Sequence, residues 1–268
     1  MAITALHSAS TGLSALSTGL DVIANNLANI NTTGFKGSRV NFEDLIYQEK
    51  AQPGVENANG DQRPTGTYVG LGTRVSGTQI NFEQGDFVET GRQLDFALEG
   101  NGFFQVNILE DQGGIGYTRA GNFFVNAEGD VVLGNTDGPR IEPPINVPDQ
   151  TLRVQVTNDG TVFAQVPGQV DPVEVGEIEL AAFVNPAGLK AIGGNLYAET
   201  AASGPPINGQ PGEGQFGTII QGFLEGSNVN PVTELVELIK TQRAFELNSQ
   251  SIQAADEALQ VVSNLRRF

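Results

Sequence analysis

Apolar residues recur along the first 30 positions with the spacing of a helix built to meet another helix. Leu6, Leu13, Leu20 and Leu27 stand seven apart, and Ala9, Leu16, Ile23 and Ile30 fill the intervals, so the steps alternate three and four. Apolar side chains repeating about every 3.5 residues form the seam of a coiled coil. A second stripe, Leu238, Phe245, Ile252 and Leu259, lies near the other end, with Thr241 and Asn248 at the alternate positions. Those two polar groups either fix register, as a buried asparagine does in simple coiled coils, or lie in solvent; the pattern leaves both open.

The first stripe predicts a helix from about Thr4 to Ile30, closed by the poor helix formers Asn29, Asn31, Thr32 and Thr33 and by Gly34, which can take the left-handed conformation that ends a helix. The second predicts a helix from an Asn230 N-cap, with Pro231 at the first helical position, to about Leu265. Arg266 and Arg267 would suit its negative pole. Between the helices the period changes to two. Leu152, Val154 and Val156 alternate with polar residues up to the turn Asn158-Asp159-Gly160, and Val162, Ala164 and Val166 lead away from it. Ile178, Leu180, Ala182 and Val184 alternate likewise, and Phe123-Phe124-Val125 faces Val131-Val132-Leu133 across Asn126 to Asp130. Residues 48–70 are polar and rich in Gly and Asn, which predicts an arm ordered only by its neighbours.

The fold class expected is α+β, with paired N- and C-terminal coiled-coil helices and a largely antiparallel β-domain inserted between them. The divisions read as 1–34 for the first helix, 35–72 for the arm, 73–226 for the β-domain and 227–268 for the last helix. Nothing in 268 residues approaches the roughly 18-residue apolar run of a membrane span. No basic segment followed by an apolar block opens the chain, so no cleaved secretory signal is expected.

Charge sharpens the division. The net charge is −17, yet residues 1–40 sum to +1 and residues 231–268 to −1, so the acidity lies entirely in 41–230. Nearly neutral ends can pack side by side while an acidic middle repels its copies. A nucleic-acid partner is excluded on the same ground, since phosphates need a basic surface.

Candidate chemistry is thin. There is no cysteine and one histidine, His7, so one chain can build neither a Ser-His-Asp or Cys-His centre nor a multi-histidine zinc site. A glycosidase-like carboxylate pair is conceivable among 31 acids, but nothing singles one out. Gly100-Asn101-Gly102 and the glycines from Gly209 to Gly217 fit no complete phosphate-binding fingerprint, and Asn126 to Asp130 and Asn158 to Gly160 read as hairpin turns rather than calcium loops. No catalytic residue, metal or cofactor is expected. The residues expected to matter are those of an assembly interface: Leu6, Leu13, Leu16, Leu20, Ile23, Asn25, Asn26, Leu27, Asn29, Ile30, Leu238, Phe245, Asn248, Ile252 and Leu259. The three asparagines are poor helix formers that suit hydrogen bonding to backbone groups of adjoining helices.

Several strings then resemble one family. Leu20-Asp21-Val22-Ile23-Ala24-Asn25-Asn26-Leu27-Ala28-Asn29, followed by Thr32-Thr33-Gly34-Phe35-Lys36, resembles the N-terminal signature of bacterial flagellar rod and hook proteins. Gln242-Arg243-Ala244-Phe245-Glu246, Asn248-Ser249 and Ala255-Asp256-Glu257 resemble its C-terminal end, with Phe245 where the family often has tyrosine. Gln84-Gly85, Leu94-Asp95, Gly100-Asn101-Gly102-Phe103-Phe104 and Tyr117-Thr118-Arg119-Ala120-Gly121 resemble its β-domain core. Phe42 to Gln48 and Gln52-Pro53-Gly54 look most like the distal rod branch.

The resemblance implies a hollow helical polymer whose inner wall is made by the terminal helices and whose outer layer is the β-domain. It implies export through the flagellar type III apparatus. It also implies contacts with proximal rod and hook proteins and with rings held in peptidoglycan and outer membrane, and a shaft that carries motor torque across the periplasm without inserting in a membrane. The rivals are a hook or proximal rod subunit, a secreted β-rich polysaccharide hydrolase, and a β-domain adhesin or sheath protein.

Overall fold

The computed structural model describes residues 2–55, 64–109, 114–169 and 171–265, with side chains described between residues 4 and 261 of those ranges. Two terminal helices flank a mostly antiparallel β-rich region, an α+β arrangement. The chain divides into a helical unit, Met1–Leu27, Ser38–Gln79 and Asn230–Phe268, and a β-rich unit, Ala28–Gly37 and Ile80–Val229.

In the helical unit α1 spans Ala2–Ala28 and α2 spans Pro231–Leu265. Asn230 caps α2: its Oδ1 accepts the Val232 N–H at 3.0 Å and the Thr233 N–H at 3.3 Å. The helix α1 stops two residues short of the expected Ile30, because the Thr32 N–H turns back to the Asn29 carbonyl at 3.1 Å and the Thr32 hydroxyl reaches Asn29 Oδ1 at 3.1 Å. Ile30 therefore lies in a turn rather than on the helix. The left-handed residue after that turn is Gly34, at φ +68°, and a Cβ there would stand 2.5 Å from the Ala120 backbone nitrogen.

Four strands complete the unit: β1 (Ser38–Asp44), β2 (Tyr47–Ala51), β3 (Thr67–Gly70) and β4 (Thr73–Ile80). β1 pairs with β4, and β2 pairs antiparallel with β3, Tyr47 opposite Gly70. The segment read as an arm thus begins and ends as a two-stranded ribbon, exposed on most of its length. The part of the arm at 56–63, and Arg266 and Arg267 at the end of α2, lie outside the described residues.

The β-rich unit begins with β5 (Phe87–Glu89), β6 (Phe96–Glu99), β7 (Phe103–Asn107), β8 (Ile115–Thr118), β9 (Phe123–Val125), β10 (Val131–Leu133), β11 (Arg153–Val156) and β12 (Thr161–Gln165). It continues with β13 (Val173–Glu177), β14 (Leu180–Ala182), β15 (Lys190–Gly193), β16 (Leu196–Ala198), β17 (Ile207–Gly209), β18 (Thr218–Gln221) and β19 (Phe223–Glu225). Both expected hairpins form. Val156 faces Val162 across a turn whose Gly160 has φ +90°, and Val125 faces Val131. The expected alternation through Val184 breaks down: Leu180, Ala181 and Ala182 are all buried, while Val184 is 82% exposed. The reason is position. β14 is an inner strand of the six-stranded sheet β15-β16-β8-β7-β14-β17, which has a core on each face.

Successive residues of β7 divide between those cores. Phe104 joins Phe96, Phe123, Ile141 and Leu180 on one side, and Phe103 joins Tyr117, Phe183 and Tyr197 on the other. Aromatic edges meet faces throughout the second core, as at Tyr117–Phe183, 4.7 Å between centroids, and Phe82–Phe103, 5.3 Å.

Burial pushes the Tyr117 and Tyr197 hydroxyls up to about 12, with the negative charges of Glu199 and Glu225 respectively adding to the effect. A raised folded pKa means that the stabilisation is whole below the unfolded value of 10.0 and is lost as pH climbs through about 12. Phenolate absorbance is expected to show two of the four tyrosines ionising only near pH 12, together with loss of near-ultraviolet dichroism. Four tyrosines titrating near pH 10 with the fold intact would contradict this packing.

Candidate assembly interface

The helices pack through small residues. The best-covered positions of α1 are Gly12, Ala15, Gly19 and Asn26, which share one face at helical spacing. A Cβ on Gly12 would lie 3.1 Å from Asn248 Nδ2, and one on Gly19 would lie 3.8 Å from Thr241 Cγ2 and 3.6 Å from the Phe42 ring. The two polar residues of the C-terminal stripe therefore sit over glycines, where no apolar side chain competes with them. Asn26 is spent inside the chain: its Nδ2 donates to the Ser38 carbonyl at 2.8 Å and its Oδ1 accepts the Ser38 N–H at 2.9 Å, which fixes the start of β1. Asn25 is exposed and Asn29 half-buried.

The leucines of the N-terminal stripe are less covered than the glycines. Leu6, Leu13, Leu16, Leu20, Ile23 and Leu27 are all half-buried, turned to the side of the small-residue face. On α2 the residues Leu238, Phe245, Asn248 and Ile252 are half-buried, and Leu259 is exposed. A groove of about 230 Å³ runs between Leu16, Val22, Ile23, Phe42 and Thr241.

A second apolar stripe on α2 escaped the heptad reading. Val232, Leu235, Val236, Ile239, Leu247 and Val261 are exposed, Ile239 by 57% and Leu247 by 63%. At 3.6 residues per turn they lie about opposite the Leu238–Phe245–Ile252 stripe. The steps of three and four from Val232 to Ile239 were present in the sequence, hidden by the more regular seam beside them.

Within the β-rich unit the family strings converge on one carboxylate. Glu225 is fully buried; its Oε1 accepts the Lys36 ammonium at 2.6 Å and the Gly85 N–H at 2.9 Å, and Arg119 Nη1 lies 3.5 Å from Oε2. Lys36 also donates to the Glu83 carbonyl at 2.7 Å, and the Gly34 N–H donates to the Glu225 carbonyl at 2.7 Å. Burial lowers the pKa of Lys36 and of Arg119, and the Glu225 charge opposes the shift in both. Nothing in the spacing marks Glu225, because its partners lie far from it along the chain.

The remaining candidates are ordinary. His7 is exposed and donates from Nδ1 to the Leu71 carbonyl at 2.9 Å. Asn126 Oδ1 accepts the N–H groups of Glu128 and Asp130 at 2.9 and 2.8 Å, as a turn requires. No group of three or more potential metal ligands occurs among the described residues, and no described helix is long and apolar enough to cross a membrane.

Glu225→Gln is expected to cost about 3–5 kcal/mol in thermal unfolding of the β-rich unit, because Lys36 and Arg119 lose their anion inside the core. Lys36→Met is expected to cost less, since Glu225 keeps Arg119 and the Gly85 N–H. The reverse order in calorimetry would refute the clamp. Gly12→Leu, which drives a side chain into Asn248, should speed amide exchange in both helices and leave the β-rich unit unchanged.

Residues 6–36 match the family described as flagella basal body rod protein, residues 97–164 the flagellar hook protein FlgE/F/G D1 domain, and residues 220–265 the flagellar basal body rod FlgEFG protein C-terminal. Full-length relatives agree. The flagellar basal-body rod protein FlgG of Agrobacterium fabrum is 44% identical over 260 residues, 97% of this chain and 98% of its own. That of Buchnera aphidicola from Schizaphis graminum is 42% identical over 98% of this chain and 100% of its own, and that of Bacillus subtilis 38% over 99% and 100%. With identity at this level from end to end, the chain belongs to the FlgG family of flagellar basal-body rod proteins, structural subunits of the flagellar rod.

Proposed function

We propose that the chain builds the distal part of the rod as a hollow helical shaft and transmits motor torque to the hook, without catalysis. One observation carries this reading: α2 has two opposite apolar faces, and among the described residues only one receives cover. A lone helix pair can bury one side of each helix, whereas a ring of neighbours can bury both. In the shaft, 1–34 and 227–268 form the inner wall by coiled-coil packing, and 73–226 faces outward. The groove beside Leu16 and Ile23, together with the half-covered Leu6, Leu13, Leu20 and Leu27, receives the neighbouring α2 face. Ile30 and Asn25 join from the end of the first helical segment.

The ribbon of β2 and β3 supports the same reading, because a two-stranded hairpin exposed on both faces is marginal without neighbours. Growth at a tip follows from the energetics. Covering one exposed Ile or Leu is worth about 1.5–3 kcal/mol, available only where folded neighbours already stand. The partners are other copies, the adjoining proximal rod and hook proteins, the rings in peptidoglycan and outer membrane, and the type III apparatus that exports the chain. A hydrolase finds little support: a cleft of about 600 Å³ is lined by Arg92 and Arg153 and, among the described residues, by a single carboxylate, Asp149, where glycoside hydrolysis needs two.

Electron microscopy of concentrated protein is expected to show thin straight tubes. Ile239→Asp and Leu20→Asp should each abolish them while leaving the melting of the β-rich unit unchanged, because a carboxylate in the contact would be desolvated without a partner. Normal tubes from both variants would overturn the reading.

A further inference from the structure

The charge count around Glu225 does not close. Lys36 and Arg119 are both buried against one carboxylate, which leaves that cluster with one positive charge in excess; the other buried carboxylate of the β-rich unit, Asp95, faces Arg92 at 3.6 Å instead. The Arg119 guanidinium is incompletely used. One terminal nitrogen donates to the Gly100 carbonyl at 2.8 Å, the other lies near Glu225, and the Nε–H has no acceptor among the described residues although the side chain is only 5% exposed. A buried donor left unmade costs about 1–3 kcal/mol, more when charged.

Arg119 also forms part of the wall of a pocket of about 260 Å³, with Phe82, Phe103 and Phe183 as apolar sides and Asn101 and Gln215 at polar positions. Its guanidinium carbon stands 5.3 Å from the centroid of the Phe103 ring. Among the described residues, no acidic one lines the pocket. Its volume is several times the roughly 30 Å³ share of one water, and suits a side chain with an apolar stem and an acceptor at its tip.

We propose that this pocket receives an aspartate or glutamate side chain from a second copy of the chain, whose carboxylate accepts the Arg119 Nε–H while its stem lies on the phenylalanine rings. The carboxylate cancels the surplus charge. A second copy is the occupant because the net charge of −17 lies wholly in residues 41–230, so each neighbour in a shaft presents many acids and few bases. A neutral amide in the same place would satisfy the donor but leave the charge, and charge-assisted bonds are about twice as strong as neutral ones. The inference rests on the shaft reading for its occupant and on the pocket alone for its chemistry.

Two experiments separate these. The first uses the monomeric full chain with ¹⁵N-labelled arginine, titrated with N-acetyl-glutamyl-N-methylamide and with its glutamine counterpart. The Arg119 Nε–H resonance is expected to shift with the glutamate probe, with the glutamine probe roughly tenfold weaker. Gln215→Trp, which fills the exposed mouth, should abolish the response. An unmoved resonance in the wild-type chain, or equal response to both probes, overturns the pocket even if shafts form normally. The second uses shafts grown from equal parts of ¹⁵N-labelled and ¹³C-labelled copies. Magnetisation transfer from Arg119 Nε to a side-chain carboxyl carbon supports the second-copy occupant. Well-formed shafts without that transfer overturn it. A chain that forms no shaft removes both the occupant and the proposed function, while the monomer titration still decides the pocket.

Discussion

One buried carboxylate organises the β-rich unit. Glu225 is held by Lys36, by Arg119 and by the Gly85 N–H, so stretches of chain near residues 36, 85, 119 and 225 must meet at one point. Burying an ion costs several kcal/mol unless its partners are in place, so such a cluster adds little net stability. It does discriminate among arrangements. Any slip of the 28–37 segment would leave Lys36 buried without an anion, and any slip of β19 would leave Glu225 facing apolar side chains. Gly34 enforces the same registration by shape, because its left-handed backbone passes so close to Ala120 that no side chain fits between them. The segment following α1 and the strand preceding α2 are thereby fixed to the same core.

The helical unit follows a different logic. Its close contacts are made by glycines and an alanine, and its larger apolar side chains stay half-covered or bare. Small residues bring backbones near without burying much area, so they set the geometry of the pair and leave the apolar surface for neighbours. On folding, the helical unit therefore buries little apolar area beside the two cores of the β-rich unit, and its remaining apolar surface is stabilised only where something covers it. The acidic β-rich unit acts against indiscriminate association, since like-charged surfaces repel unless specific contacts offset the repulsion. A pocket that accepts a carboxylate would be one such contact.

The residues show how much of this was readable. The Asn230 cap, the left-handed Gly34, both hairpins and the helix–β–helix order follow from local chemistry, and all are present, although α1 ends at Ala28 in the turn before Gly34. The stripe of leucines on α1 is legible in the sequence as apolar, and the structure leaves it half-covered. The sequence contained Gly12, Ala15 and Gly19 at helical spacing, yet a pattern search weighted towards large residues passes over small ones. Asn26 was expected to serve a neighbour and instead holds Ser38 of its own chain, because α1 ends where β1 can reach back to it. The string ending in Lys36 and the one containing Arg119 marked the family without disclosing their chemistry, since the anion they share lies 189 and 106 residues away.

By itself, the sequence determined the two helices and both hairpins, the neutrality of the ends, the acidity of the middle and the absence of the residues that common nucleophilic and metal centres require. These depend on composition and on periods of two and 3.5, which short windows of chain contain in full. The tertiary structure alone decided which face of each helix is covered, why Lys36 and Arg119 are where they are, and that Arg119 keeps one donor unused beside a pocket. Those outcomes depend on distances between residues far apart along the chain. No local pattern encodes such distances, because burial, and with it the energy of every charge and apolar face, is set only when the chain has closed on itself.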